Sequence, residues 1–207
     1  VRVFSAILTA SLALAATCAS AQPTRPTRPP PALAMTPAAV VQRLRTALEA
    51  GRAANAPADI EALPPRLRTH PEVVTAKVIA TFVTLNAPLD PSALRTMPPS
   101  SQRDLVAIQG HLARWMTTHP NDGLAALTLG RVYLVRGDLA SASTFLETAT
   151  RVRRTDPVAW NDRAMVLVGL RRLPDAELCL AESTRLAPRD AEPWDNLGAV
   201  RLARGNA

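Results

Sequence analysis

Two tryptophans, Trp160 and Trp194, stand 34 residues apart, and the sequence around each of them repeats. Segments beginning at Gly123, Pro157 and Ala191 can be laid over one another at that period. Leu129-Gly130 falls over Arg163-Ala164 and Leu197-Gly198, Gly137 over Arg171 and Gly205, Ala142 over Ala176, and Leu146 over Leu180. A fixed period of this length is the mark of a two-helix unit used again. One unit cannot bury its apolar face alone, so the units must stack. No run alternates apolar and polar residues in the manner of a half-buried strand. The expected fold class is therefore all-α, and a stack of this kind points to binding rather than catalysis.

The third copy reads Ala191-Glu192-Pro193-Trp194-Asp195-Asn196-Leu197-Gly198, followed by Arg204-Gly205-Asn206. The second supplies Trp160, Ala164, Leu167, Ala176, Leu180, Ser183 and Pro188; the first supplies Leu129, Gly130, Tyr133, Ala142, Leu146 and Ala149. In these positions the chain from Asp122 onward resembles the tetratricopeptide repeat (TPR) family. The resemblance implies a helix-turn-helix solenoid with copies at 123–156, 157–190 and 191–207, the last holding helix A alone or a capping helix. Gly130, Ala164 and Gly198 are expected where helix A and helix B approach closely, since a large side chain would push them apart. Trp160, Tyr133 and Leu180 are expected to fill the space between helices. Asp138 and Asp156 are placed to cap helices, and Pro157 and Pro174 fit a first helical turn, where no donor is lost.

This sequence departs from the family pattern at three places. Arg163 stands at the usual Leu position, Arg201 at the usual Tyr position and Arg154 where the first copy should have Pro. Copies two and three are therefore expected to pack less tightly. Trp194, Leu197, Val200 and Leu202 cover more than one helix face, which reads as an array continuing past Ala207. The alternative is a C-terminal cap, which repeat arrays need.

The N-terminal end has a different character. Residues 1–21 read as an export signal, with Arg2, an apolar run, and Ala19-Ser20-Ala21 as a small-x-small cleavage site before Gln22. This places the mature chain in the periplasm or outside the cell. A lipid on Cys18, or an uncleaved signal, would instead tether it to a membrane. Once residues 1–21 are removed, Cys179 is the one cysteine left, and no internal disulfide can form. Residues 22–36 are a Pro-rich linker, extended because proline fixes φ and lacks a donor.

Residues 37–100 form a helical N-terminal region. Thr36-Pro37 is expected to open a helix reaching about Ala50, with Val40, Val41, Leu44 and Leu48 on one face. A second helix is expected over residues 71–85, presenting Val74, Val78, Phe82 and Leu85. A short helical turn follows Asp90-Pro91 and ends at Pro98-Pro99. Ser101 is expected to cap a helix to Thr118 with Leu105, Ile108, Leu112, Trp115 and Met116 as its stripe. Residues 101–122 would then be a degenerate half repeat, with helix 71–85 as its partner.

The formal net charge is +7, but the repeats are nearly balanced, with 12 arginines against 10 carboxylates over 123–207. A mixed, solvated surface follows, and no nucleic-acid partner is expected. A basic binder of envelope polymers remains as an alternative. His70, His111 and His119 have no neighbours at metal-ligand spacing, and no phosphate loop or nucleophile elbow occurs. No catalytic residue, metal or cofactor is expected.

The resemblance places the binding surface in the concave groove lined by the A helices. Carried over by position, that groove holds Leu127, Arg131, Leu134, Val135, Asn161, Met165, Val168, Asp195, Ala199 and Leu202. Relatives that clamp a C-terminal carboxylate use Lys, Arg and Asn at positions that here hold Leu127, Arg131, Asp162, Glu192 and Asn196. That clamp is absent, and Asp162 and Glu192 would repel a carboxylate. The expected ligand is an apolar extended segment or helix of another protein. The chain reads as a non-catalytic interaction scaffold of the bacterial envelope. The alternative is a lipoprotein adapter of a pilus, secretion or cytochrome-maturation assembly.

Overall fold

A computed structural model describes residues 36–49, 60, 63–85 and 93–205. They lie within one compact unit, Met35–Ala207, and contain helices and turns but no strand. The export signal, Cys18, nearly all of the Pro-rich linker, Ala50 and Asp90-Pro91 lie outside the described residues. The described helices are α1 (Pro37–Glu49), α2 (Pro65–Arg68), α3 (Pro71–Leu85), α4 (Ala93–Thr96), α5 (Pro99–Thr118), α6 (Gly123–Val135), α7 (Leu139–Val152), α8 (Pro157–Gly169), α9 (Leu173–Leu186) and α10 (Ala191–Ala203).

The A helices α6, α8 and α10 begin at Gly123, Pro157 and Ala191, the first residues of the three sequence copies. The reason lies one residue earlier. Asp122, Asp156 and Asp190 occupy the N-cap of each, and their carboxylates accept N–H groups of the first turn that have no helical partner. Asp138 does the same for α7, taking the amide of Ser141 at 3.0 Å. A second bond also recurs at the period. Trp160 Nε1 donates to the carbonyl of Arg154 at 2.9 Å, and Trp194 Nε1 to the carbonyl of Pro188 at 3.2 Å. Every residue type carries that carbonyl, so arginine in place of the expected proline at 154 loses nothing here.

Pairs α6–α7 and α8–α9 pack intimately. A Cβ built on Gly130 would stand 2.6 Å from Leu146 Cγ, so helix B seats its leucine directly on the bare backbone of helix A. Leu129, Ala142, Leu146, Ala164, Ala176 and Leu180 are fully buried, and Leu167 and Leu197 nearly so. Tyr133 is half-buried and stacks on Phe145 with ring centroids 5.5 Å apart. At Gly198 nothing among the described residues comes within 4 Å of a Cβ, so the close approach seen at Gly130 is not present there among them. Trp194 and Leu202 on the same helix are exposed, whereas Leu197 and Val200 are buried against α9.

The A–B turns share a backbone form. Gly137 and Gly205 have φ 77°, and Arg171, at the same register, has φ 61°. A non-glycine residue in the left-handed region carries strain of about 1–2 kcal/mol. The arginines at family positions find partners of their own. Arg163 donates to Thr150 Oγ1 at 3.1 Å, and Arg201 to Glu177 at 2.8 Å, with Arg204 on the other oxygen of Glu177.

Ahead of the repeats, α3 packs on α1, α5 and α6, and α5 packs on α6. This is the neighbour pattern of a helix pair preceding α6. Two expectations need correction. The buried face of α3 is Val73, Ala76, Ile79, Ala80 and Phe82, while Val74 and Val78 are only half-buried. The helix is apolar nearly all round, so periodicity cannot choose its face. Helix α5 begins at Pro99 with Pro98 before it, and no side chain caps it; Ser101 lies inside the helix. Proline needs no cap at the first position, since it has no N–H to satisfy.

Opposite outcomes are expected at one repeat position. Gly130→Ala should destabilise the chain by about 1–3 kcal/mol through overpacking against Leu146. Gly198→Ala should be neutral or stabilising by up to about 1 kcal/mol through helix propensity. Urea unfolding of both variants checks this, and equal losses would sink the seat-and-leucine account. In the same assay Arg171→Gly should stabilise by roughly 0.5–1 kcal/mol, left-handed strain relieved less the entropy of glycine.

Candidate functional site

The A-helix face is built from one side each of α6, α8 and α10. Its exposure is not uniform. Leu127, Leu134 and Val135 on α6 are buried, as is Asn161 on α8. This corrects the expected groove: the first copy's apolar positions belong to the core cluster that also holds Val73, Ile79 and Phe82 of α3, which packs on α6. Open apolar surface begins further on. Met165 is 36% exposed and Leu202 is 69% exposed. Val168 is half-buried, and Asp195 and Ala199 are exposed. Arg131 sits between these zones with a side chain 25% exposed.

Consecutive A helices are joined by polar side chains. Arg131 Nε donates to Asp162 Oδ2 at 2.5 Å, linking α6 to α8. Asn161 Nδ2 donates to Glu192 Oε1, and Asn196 Nδ2 to Asn161 Oδ1, each at 3.0 Å, linking α8 to α10. Asp162 is all but removed from solvent, its side chain 2% exposed. Burial pushes its carboxyl above the usual carboxylate value; Arg131 opposes that rise, and the nearby charges of Glu192 and Asp156 add to it. The apolar core divides at the same place. Ala159 and Val166 of α8 belong to the larger cluster, and Ala164 and Leu167 to the smaller one with α9 and α10.

Between the first turns of α8 and α10 lies a small cleft of about 150 Å³, bordered by Arg131, Val158, Asn161, Asp162, Asp190 and Glu192. Sequence reasoning put Arg131 and Asn161 in the groove and weighed Asp162 and Glu192 as clamp positions. It missed that the four meet. The available signal was spacing: both Arg131–Asp162 and Asn161–Glu192 are 31 residues apart, about one helical turn short of the repeat.

Among the described residues His111 and His119 have structural partners, whereas His70 Nδ1 is buried without a hydrogen-bond partner. The Thr75 hydroxyl donates to the Pro71 carbonyl at 3.0 Å, so it accepts from His111 Nε2 at 3.0 Å, which fixes that imidazole's tautomer and ties α3 to α5. Burial, and then Arg114, lower the pKa of His111. His119 stacks on Trp115 with ring centroids 3.7 Å apart, and Trp115 Nε1 donates to Asp122 at 3.0 Å. Cys179 is a buried free thiol whose pKa burial pushes up, which disfavours the reactive thiolate. Among the described residues no group of three or more His, Cys, Asp or Glu side chains could hold a metal ion, and no helix is long and apolar enough to cross a membrane.

No protein-family model matches the chain, and no curated protein matches its sequence. Solved structures do. MamA (41-end) from Desulfovibrio magneticus RS-1 is similar over 82% of this chain and 86% of that one, with TM-score 0.55 and 15% identity. TTC0263, a thermophilic TPR protein in Thermus thermophilus, is similar over 81% of this chain and 82% of that one, with TM-score 0.53 and 19% identity. With the helix pairs, the seated leucine and the period of 34 residues, these similarities establish that the chain has the tetratricopeptide repeat fold.

Removing Arg131 tests the joint between α6 and α8. Arg131→Met strands a buried carboxylate and should cost about 3 kcal/mol, much of it recovered in Arg131→Met/Asp162→Asn. The sign with pH follows from the raised carboxyl. An acid that holds its proton more tightly folded than unfolded gains folding stability as pH falls through its folded pKa. The deficit of Arg131→Met should therefore shrink between pH 7.5 and pH 5, and a deficit that grows over that range contradicts the assignment.

Proposed function

We propose that this chain is a non-catalytic scaffold that holds a segment of another protein along the A-helix face of its second and third copies. The observation that carries the reading is the open apolar surface at Met165 and Leu202, next to a first copy whose equivalent face is already covered. Both lie toward the C-terminal ends of their helices, on elements packed against α9. An extended segment or a helix presenting apolar side chains at regular spacing fits such a face. Rigid helices hold the surface in place before the partner arrives, which limits the ordering cost of binding.

The proposed setting is the bacterial envelope, supported by the export signal read in residues 1–21. The periplasm is the first compartment on that route, and lipidation at Cys18 would hold the same scaffold at a membrane.

Affinity capture from an envelope extract, with the parent chain and Met165→Glu/Leu202→Glu as baits, tests the reading. A partner recovered by the parent should bind the variant about tenfold more weakly, as expected when apolar anchors at an interface centre are replaced by charge. Helicity and melting temperature should not change, since both positions are exposed. Leu127 and Leu134 are unsuitable targets because charge there would disrupt the core. A partner that binds parent and variant equally contradicts the proposal.

A further inference from the structure

We propose that α10 pairs with α10 of a second copy of this chain, antiparallel and about a two-fold axis beside Gly198. This goes beyond the reading of the A-helix face, because it uses the outward side of α10 and leaves Met165 open. Leu197 and Val200 give the buried side of α10, in one apolar cluster with residues of α9. Trp194, Asp195, Gly198, Arg201 and Leu202 are all exposed, and steps of three and four residues keep them on one other side of the helix. Trp160, at the register of Trp194 in the second copy, packs against that same cluster, whereas Trp194 is 49% exposed.

The order of residues on this side selects the occupant. Trp194 and Asp195 stand four and three positions before Gly198, and Leu202 and Arg201 stand four and three positions after it. In a two-fold pair centred on Gly198, a residue before the axis comes level with the residue equally far after it on the other copy. Trp194 is then level with Leu202 of the second copy, and Asp195 with Arg201 of the second copy. Apolar side chains meet and opposite charges meet, at both ends of the contact. A parallel pairing would instead set Asp195 against Asp195 and Arg201 against Arg201. A different protein would have to carry this alternation independently, whereas a second copy supplies it by symmetry. At the axis Gly198 has no side chain, and nothing among the described residues lies within 4 Å of a Cβ there, so the two helices can approach closely. Arg201 gives its Nε to Glu177, yet its side chain is 49% exposed, and a guanidinium has further N–H donors for a carboxylate. The same guanidinium can stack on the Trp194 ring of the other copy. One helix from each copy buries little surface, so the dimer is weak and concentration-dependent.

The test is sedimentation velocity of the full chain over a wide range of concentration. Its mass should rise from monomer to dimer. Asp195→Arg and Arg201→Glu should each weaken self-association about tenfold, because each sets like charges together at both ends of the contact. An equal mixture of the two variants should regain at least the parent's association, since one chain then presents only basic and the other only acidic groups there. Circular dichroism should match the parent for Asp195→Arg, whose side chain is exposed. Should Arg201→Glu lose helicity with its bond to Glu177, the mixture is made with Arg201→Gln, which still leaves no like charges in contact. A chain that stays monomeric, association that Asp195→Arg leaves intact, or a mixture no stronger than its components each overturns the proposal. Leu202 borders the A-helix face as well, so the two readings are told apart at Met165. Met165→Glu should weaken partner capture and leave self-association at the parent's strength. Self-association lost with Met165→Glu also overturns the pairing, whereas capture that survives it sinks the A-helix face alone.

Discussion

The contact of Leu146 with the bare backbone of Gly130 is the interaction on which the rest depends. A Cβ at Gly130 would stand 2.6 Å from that side chain, so the distance between α6 and α7 is set by the absence of one methyl group. Ala164 takes the same register in the second copy and is fully buried. With that distance set, the aspartate caps at 122, 156 and 190 fix where each A helix starts, and the tryptophan-to-carbonyl bonds fix how each pair follows the last. The A-helix face is a consequence of this stacking rather than a separate construction.

That face divides the work between apolar and polar contacts. Within each pair, burial of leucine and alanine supplies the driving force. Between successive A helices the contacts are Arg131 with Asp162, Asn161 with Glu192, and Asn196 with Asn161. Polar joints fix register more than they add stability, because a desolvated ion pair returns little over its desolvation cost. They also leave an acidic cleft in a chain that is basic overall. On α8 and α10 the apolar side chains of Met165 and Leu202 are exposed.

Much of the fold was legible in the sequence because the period encodes it. The copy starts at Gly123, Pro157 and Ala191, the helix over 71–85 and the cap at Asp138 all stand where the residues place them. Legibility failed where a tertiary neighbour decided. Helix α3 is apolar on nearly every side, so its pattern could not say that Val73 and Ile79 rather than Val74 and Val78 face inward. Leu127 and Leu134 looked like groove residues because position alone assigned them, and the core cluster that holds them draws on α3 and α5, which precede the three copies. Gly198 looked like a close-contact glycine although nothing described approaches it. The cleft was half legible: its residues were each noticed, but their meeting depends on how α8 leans on α10.

The central claim, that the partner lies on the open A-helix face of α8 and α10, is tested most directly by photocrosslinking. A photoreactive residue is placed at 165, at 202, and at the exposed Leu178 on the B helix α9, and each bait is irradiated in an envelope extract. The account expects one shared crosslinked partner from positions 165 and 202 and none from 178. A partner that crosslinks from 178 and not from 165 or 202 would contradict it.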